Sequence, residues 1–305
     1  MTAAMVFAPA LLFTGSCAPA AAPSSAQVAV NEPLRVLFVG NSFTYGARSA
    51  VRNWHADRVT DLNGTGFGGM PALFLEFADA SGLQFSVSME TQGGKSLAFH
   101  LSERRALIDR PWDVVVLQEH SVLDPNRPGD PAAYRAAAAE LVGVLRARNP
   151  EVHVYLLATW TRADQIYPTD GAWSGKPIYA MALDLRRAAD EIAREVPGIA
   201  GVIPVGQAWN RAFACGVADP DPYDGIAAGQ INLWAYDHYH ASIAGYYLES
   251  LVVFGAITGI DPGTLGGNER AADQLGLSVE QASALQEVAR NELSGVAPLP
   301  VRGKC

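Results

Sequence analysis

The sequence has no surplus of positive charge. Lys and Arg number 22 against 31 Asp and Glu, a formal net charge of −9 with a pI near 5.1. A nucleic-acid partner would want a basic stripe, so the balance argues against that class. Charge of either sign is sparse at 17%, and 49% of residues are hydrophobic, which suits a well-filled core and excludes disorder. No stretch reaches the run of about 18 apolar residues that a membrane-spanning helix needs. No H-E-x-x-H or paired ligand spacing is present, so no metal site is expected. There is no internal repeat. Cysteine is scarce, with three in the chain: Cys17, Cys215 and Cys305.

Met1 to Val30 carries no charged residue and is rich in Ala, Pro and Ser. Pro9-Ala10-Leu11-Leu12-Phe13 ends a short apolar run, and Thr14-Gly15-Ser16-Cys17 sets small residues ahead of a cysteine. This resembles a bacterial lipoprotein signal, in which Cys17 is lipidated and becomes the first residue of the mature chain. Ala18-Pro19-Ala20-Ala21-Ala22 offers an ordinary small-residue cleavage site as the alternative. Residues 1–30 are thus expected to be signal peptide and linker, and 31–305 one folded domain. The expected location is the periplasm or cell surface, with membrane anchoring through lipidated Cys17. Cys215 and Cys305 then remain, either as a pair in an oxidising compartment or as two free thiols.

The folded part is organised around Leu34 to Gly46. Leu34-Arg35-Val36-Leu37-Phe38-Val39 is a short apolar, β-branched run that reads as a buried strand. Gly40 and Asn41 stop it, so Ser42 falls just past a strand's C-terminal end. In an open α/β sheet that edge is where ligands bind. There a serine offers its hydroxyl to a pocket and its backbone N–H to a developing oxyanion. The plainer alternative is a turn in which Ser42 only caps the next segment.

Further strands are expected at Phe85–Met89, Trp112–Leu117, Val152–Leu157 and Val202–Val205, the last at an edge or bend because of Pro204. Helices are expected from Pro71, after Ser96, over Pro131–Arg148, Ile178–Glu195 and Ile243–Thr258. A terminal helix runs from a capping box at Ser278 and Gln281 to about Leu293. Strands and helices alternate, which implies a single-domain three-layer α/β/α sandwich on a mostly parallel, about five-stranded sheet. Gly64, Gly66 and Gly69 have the bare G-x-G-x-x-G spacing, but no convincing strand leads into them, and the dinucleotide fingerprint requires one.

A serine nucleophile needs a base and a group to orient that base. Asp237 and His240 lie about one turn apart, so both side chains can sit on one side of a tight segment. Taken alone, D-x-x-H also fits an aspartate-capped helix start with an ordinary histidine.

Four blocks in order resemble the SGNH (GDSL-like) hydrolase superfamily, in its G-N-S-F-T branch. They are Gly40-Asn41-Ser42-Phe43-Thr44, Gly93-Gly94-Lys95-Ser96, the strand Val114 to Gln118, and Asp237-His238-Tyr239-His240-Ala241-Ser242. The resemblance implies a flavodoxin-like fold. It also implies a Ser42-His240-Asp237 triad, with Ser42 and Gly94 backbone N–H groups in the oxyanion hole. Where the superfamily usually brings Asn from a G-x-N-D turn, this strand ends in Gln118-Glu119-His120-Ser121. Gln118 carries the same amide and is the candidate third donor, with Glu119 as an alternative structural acceptor. His120 and His238 have no place in the scheme.

The resemblance implies an exported serine esterase acting on acyl groups of carbohydrates or lipids, with no cofactor and no metal. The partner is then a small-molecule or carbohydrate ester. Trp160, Tyr167 and Trp173, on loops, could wall a sugar site or pack against their own loops. Rival readings are acyl transfer by the same triad and a non-catalytic carbohydrate-binding protein of the same fold.

Overall fold

Residue patterns along the first strand set the architecture. In the computed structural model, which describes Met1, Thr2 and residues 32–295, Leu34–Gly40 forms β1. Val36 and Phe38 enter one hydrophobic cluster and Leu37 and Val39 another, so β1 is buried on both faces. The chain continues through β2 (Thr60–Asp61), α1 (Gly69–Ala80), β3 (Phe85–Thr91), α2 (Leu97–Glu103), α3 (Arg105–Ile108), β4 (Val114–Leu117) and α4 (Ala132–Arg148). It then forms β5 (His153–Leu157), α5 (Ala180–Glu195), β6 (Ile199–Ile203), α6 (Val205–Ala214), α7 (Ile243–Thr258), α8 (Arg270–Leu275) and α9 (Val279–Leu293).

The sheet order is β2-β3-β1-β4-β5-β6, and every neighbouring pair is parallel. Two-residue β2 adds a sixth, edge strand to the expected five. Without it the order is that of a flavodoxin-like sheet. The topological switch falls between β1 and β4, whose C-terminal ends carry Ser42 and Gln118. Side chains of α1, α6, α7 and α9 fill the first cluster, and those of α2, α4 and α5 fill the second. This is the three-layer sandwich expected from the alternation of elements.

Helix α7 is apolar all round and is buried along most of its length, as such a helix must be. Ser242 caps it by accepting the Gly245 N–H, and Gly259 ends it in a left-handed turn. The capping box on α9 is present, with Ser278 and Gln281 bonded reciprocally. One expected strand is displaced. Val205 starts α6, and the strand is Ile199–Ile203, because Pro204 stands at the N-cap of α6 instead of inside the sheet. Among the described residues no helix is long and apolar enough to cross a membrane. Cys215 is disulfide-bonded. Cys17 and Cys305 lie outside the described residues.

Candidate active site

Ser42 sits in the turn after β1 and is buried. Its carbonyl accepts the Ala47 N–H at 3.0 Å and the Tyr246 hydroxyl at 3.2 Å. Tyr246 is fully buried on α7 and also reaches the Ala47 carbonyl at 3.1 Å. Helix α7 begins directly after the segment that carries Asp237 and His240. The helix that extends the D-x-x-H segment therefore also clamps the backbone at Ser42.

Asp237 and His240 meet as expected. Asp237 Oδ1 accepts the backbone N–H groups of Tyr239 at 3.2 Å and His240 at 2.9 Å, while Oδ2 lies 2.7 Å from His240 Nδ1. A carboxylate there fixes the proton on Nδ1 and leaves the lone pair on Nε2. Nε2 is buried and has no hydrogen-bond partner among the described residues. Burial holds the imidazole below its ordinary pKa of 6.5; Asp237 pulls the other way, and Arg48 and Arg162 add to the lowering. Burial would raise the Asp237 carboxyl, but hydrogen bonds from the His240 side chain and backbone hold it below its usual range. The pair is thus a neutral imidazole oriented by a carboxylate, an arrangement that can accept a proton.

Ser42 Oγ is not hydrogen-bonded to Nε2 in this structure. What registers the two is aromatic packing. The Phe43 ring stacks on Trp160 at 4.1 Å and meets the His240 ring edge-on at 5.8 Å. Trp160 in turn stacks on Trp209 and donates its indole N–H to the Tyr239 carbonyl at 3.2 Å.

Neither the Ser42 nor the Gly94 backbone N–H donates a hydrogen bond to any described residue. Gly94 has φ +68, a conformation that glycine adopts without strain. Its loop is tied to β1 on both sides. The Gln92 N–H donates to the Gly40 carbonyl at 3.1 Å, and Asn41 Nδ2 donates to the Lys95 carbonyl at 3.0 Å.

Gln118 departs from its expected role as an oxyanion donor. It is fully buried, its Oε1 accepts the Asn41 N–H at 2.9 Å and the Thr44 hydroxyl at 3.0 Å, and its Nε2 donates to the Glu119 carbonyl. A backbone N–H needs an acceptor and a carbonyl a donor, so this orientation of the amide is fixed. Gln118 laces the ends of β1 and β4 together. Gly40 makes room for it, since a Cβ there would stand 2.6 Å from Gln118 Oε1 and 2.2 Å from Thr44 Oγ1.

Trp160 and Trp173 do not form an aromatic wall. Both are buried, Trp160 in the stack above and Trp173 with its indole N–H on Asp184. The exposed aromatics beside the histidine segment are Tyr236 and Tyr223. The Tyr223 ring lies 4.3 Å from that of His238 and 5.7 Å from that of Tyr167. Sequence reasoning passed over both, although Tyr236 adjoins Asp237.

Arg162 was also missed. It lies just past the C-terminal end of β5, which was the available signal. Its guanidinium lies 3.6 Å from the centre of the Tyr239 ring, pairs with Asp164 through two nitrogens and donates to Ser121 Oγ at 3.2 Å. Arg48 and His238 both have left-handed backbones, at φ +64 and +54. Such residues cost about 1–3 kcal/mol each and persist where the surroundings hold them. The His238 carbonyl is held by N–H groups of Ala163 and Asp164, and Arg48 Nε stands 3.9 Å from Asp237. His120 is half-buried, with the Val122 N–H on its Nδ1. Among the described residues no group of three or more His, Cys, Asp or Glu could hold a metal ion.

A DUF4886 family protein from Bacteroides uniformis superposes with a TM-score of 0.63, at 21% identity over 88% of this chain and 98% of that one. The chain shares that protein's fold, a single-domain three-layer α/β/α sandwich on a parallel sheet. A protein named as a GDSL-like lipase, from Parabacteroides merdae, matches at a TM-score of 0.48, with 19% identity over 74% of this chain and 95% of that one. The esterase EstA from Pseudoalteromonas matches at 0.46, with 13% identity over 74% and 97%. No protein-family model matches the sequence, and no curated protein matches it.

Proposed function

We propose that this chain is a serine esterase of the SGNH kind that hydrolyses acyl esters. One observation carries the reading: the His240 imidazole, oriented by Asp237, keeps a buried Nε2, unpartnered among the described residues, next to the turn that bears Ser42. In this mechanism Ser42 Oγ attacks the acyl carbonyl and its proton passes to Nε2. The Ser42 and Gly94 N–H groups receive the charge that develops on the carbonyl oxygen. His240 returns the proton to the departing alcohol. Water then repeats the sequence on the acyl-enzyme and frees the acid.

Carbohydrate or lipid esters are the proposed substrates. The exposed rings of Tyr223 and Tyr236 beside the histidine segment favour a sugar as the alcohol. Export, with Cys17 as the lipid attachment point, belongs to the same proposal. A panel of short acyl esters, with products analysed in the presence of sugar acceptors, tests it. Ser42→Ala should lose on the order of 10⁶ in kcat while unfolding at the wild-type temperature. His240→Ala should be nearly as damaging, whereas His238→Ala and His120→Ala should cost far less. More than about a tenth of wild-type turnover in Ser42→Ala would exclude this nucleophile.

A further inference from the structure

Glu119 is a buried carboxylate at the C-terminal end of β4, and nothing in the proposed reaction uses it. Its side chain points back across the sheet edge to the loop that carries Gly94. Both of its oxygens lie within reach of the Leu97 N–H, at 3.3 and 3.2 Å, and Oε1 also accepts the His120 N–H at 2.6 Å. Leu97 is the first residue of α2, and the N-cap residue Ser96 gives that helix no side-chain cap. Glu119 supplies the missing acceptor from another strand. Its own carbonyl takes the Gln118 amide and, at 3.4 Å, Asn41 Nδ2. The turn holding Ser42, the loop holding Gly94 and the end of β4 therefore meet at this one residue.

We propose that Glu119 is a positioning residue: its ionised carboxylate, by holding Leu97 N–H and His120 N–H together, fixes the loop that aims the Gly94 N–H at the oxyanion. The inference rests on the esterase reading above. Gly94 is anchored on its near side by the Gln92 N–H on Gly40 and on its far side by Asn41 and Glu119. An ionised carboxylate can accept both N–H groups at full strength, whereas the acid form spends one oxygen as a donor where only donors face it.

The surroundings make that ionisation matter near neutrality. Glu119 shares a cavity of about 10 Å³ with Leu123, Tyr134, Leu157 and Leu185, and with the polar His120 and Thr159. Burial pushes its carboxyl up to about 7; the His120 and Leu97 N–H groups pull it down, and Asp124 adds to the rise. The other ionisable groups around it are His120, whose own pKa burial lowers, and Tyr134 of α4, whose buried hydroxyl has no partner among the described residues. Arg162 acts on His120 from the β5 side, and His100 of α2 is occupied by Glu90. Activity should therefore rise with pH through two steps, one below 6.5 as His240 loses its proton and one near 7 as Glu119 does.

The test is kcat and KM against pH, from 5 to 9, for wild type, Glu119→Gln, Glu119→Ala and Ser42→Ala, on one short acyl ester. Glu119→Ala should lower kcat about 10- to 100-fold with KM nearly unchanged, because a displaced donor is felt in the transition state. Glu119→Gln, like the acid form, keeps one accepting oxygen but turns a donor toward donors, so at pH 9 its kcat should stay near the level wild type shows below its step near 7. Its profile should lose the step near 7 and keep the lower one. A Glu119→Gln profile that still shows both steps, or a Glu119→Ala kcat within about threefold of wild type, overturns the proposal. If Ser42→Ala is itself active, the esterase reading has failed. If Ser42→Ala is dead and the Glu119 variants behave as wild type, only the positioning role has.

Discussion

Replacing Asp237 by Asn tests the orientation of the base without emptying the site. Asp237 Oδ1 holds two backbone N–H groups and Oδ2 holds the His240 Nδ1–H. An asparagine of the same shape must put its oxygen on one side and its NH₂ on the other. With the oxygen on the backbone N–H groups, the NH₂ faces Nδ1, which then has to accept, and the proton moves to Nε2. The imidazole is left in the wrong tautomer to take a proton from Ser42. Turning the amide over restores the tautomer but gives up two backbone hydrogen bonds at about 1 kcal/mol each. About 2 kcal/mol leaves roughly 3% of molecules in the competent form. The loss in kcat should thus be at least about 30-fold, and it extends toward the roughly 10⁴-fold seen when a triad aspartate is amidated. The half-exposed Arg48, 3.9 Å away, adds little, since contacts of that kind are worth under about 1 kcal/mol. Stopped assays on a short acyl ester at pH 8, paired with thermal unfolding, give the answer. An Asp237→Asn kcat within about threefold of wild type, in a protein where Ser42→Ala is inactive, would refute Asp237 as the orienting group.

Gln118→Ala leaves the Asn41 N–H, the Thr44 hydroxyl and the Glu119 carbonyl without their shared partner. It should lower stability by at least about 2 kcal/mol, read as a fall in melting temperature, with kcat of the folded fraction nearly unchanged. A kcat loss of about 10² or more at unchanged stability would restore Gln118 to the oxyanion hole. Labelled fatty acid should enter the wild-type protein in a bacterial host and not Cys17→Ser; equal labelling of both would remove Cys17 as the attachment point.

Much of the fold was legible because its signals are local. The β-branched run of β1, the all-round apolar α7 with Ser242 before it, and the Ser278–Gln281 box each act within a few residues. Pro204 was misplaced because a fixed φ and a missing N–H suit a strand edge and a helix start equally. The signal that separates them is the spacing of Val205, Ala208, Trp209 and Ala212, all buried on one side of α6. Gln118 and Glu119 show the other limit. Sequence could say that an amide and a carboxylate come after β4. Which way each turns depends on the neighbouring strand ends, Asn41 on one side and Leu97 on the other.

Trp160 marks where non-local packing does what motifs cannot express. As a loop aromatic it was a candidate to meet a sugar. Instead it is fully buried between Phe43 and Trp209, meets Tyr246 edge-on at 6.0 Å and holds the Tyr239 carbonyl. Phe43 adjoins Ser42, Tyr239 adjoins His240, and Tyr246 clamps the Ser42 carbonyl. The two groups proposed to exchange a proton thus share no hydrogen bond and are registered through Phe43, which meets the His240 ring, and the indole stacked on it. A close-packed interior resists small shifts, so this apolar contact can set the geometry of a polar reaction. No spacing rule along the chain encodes it.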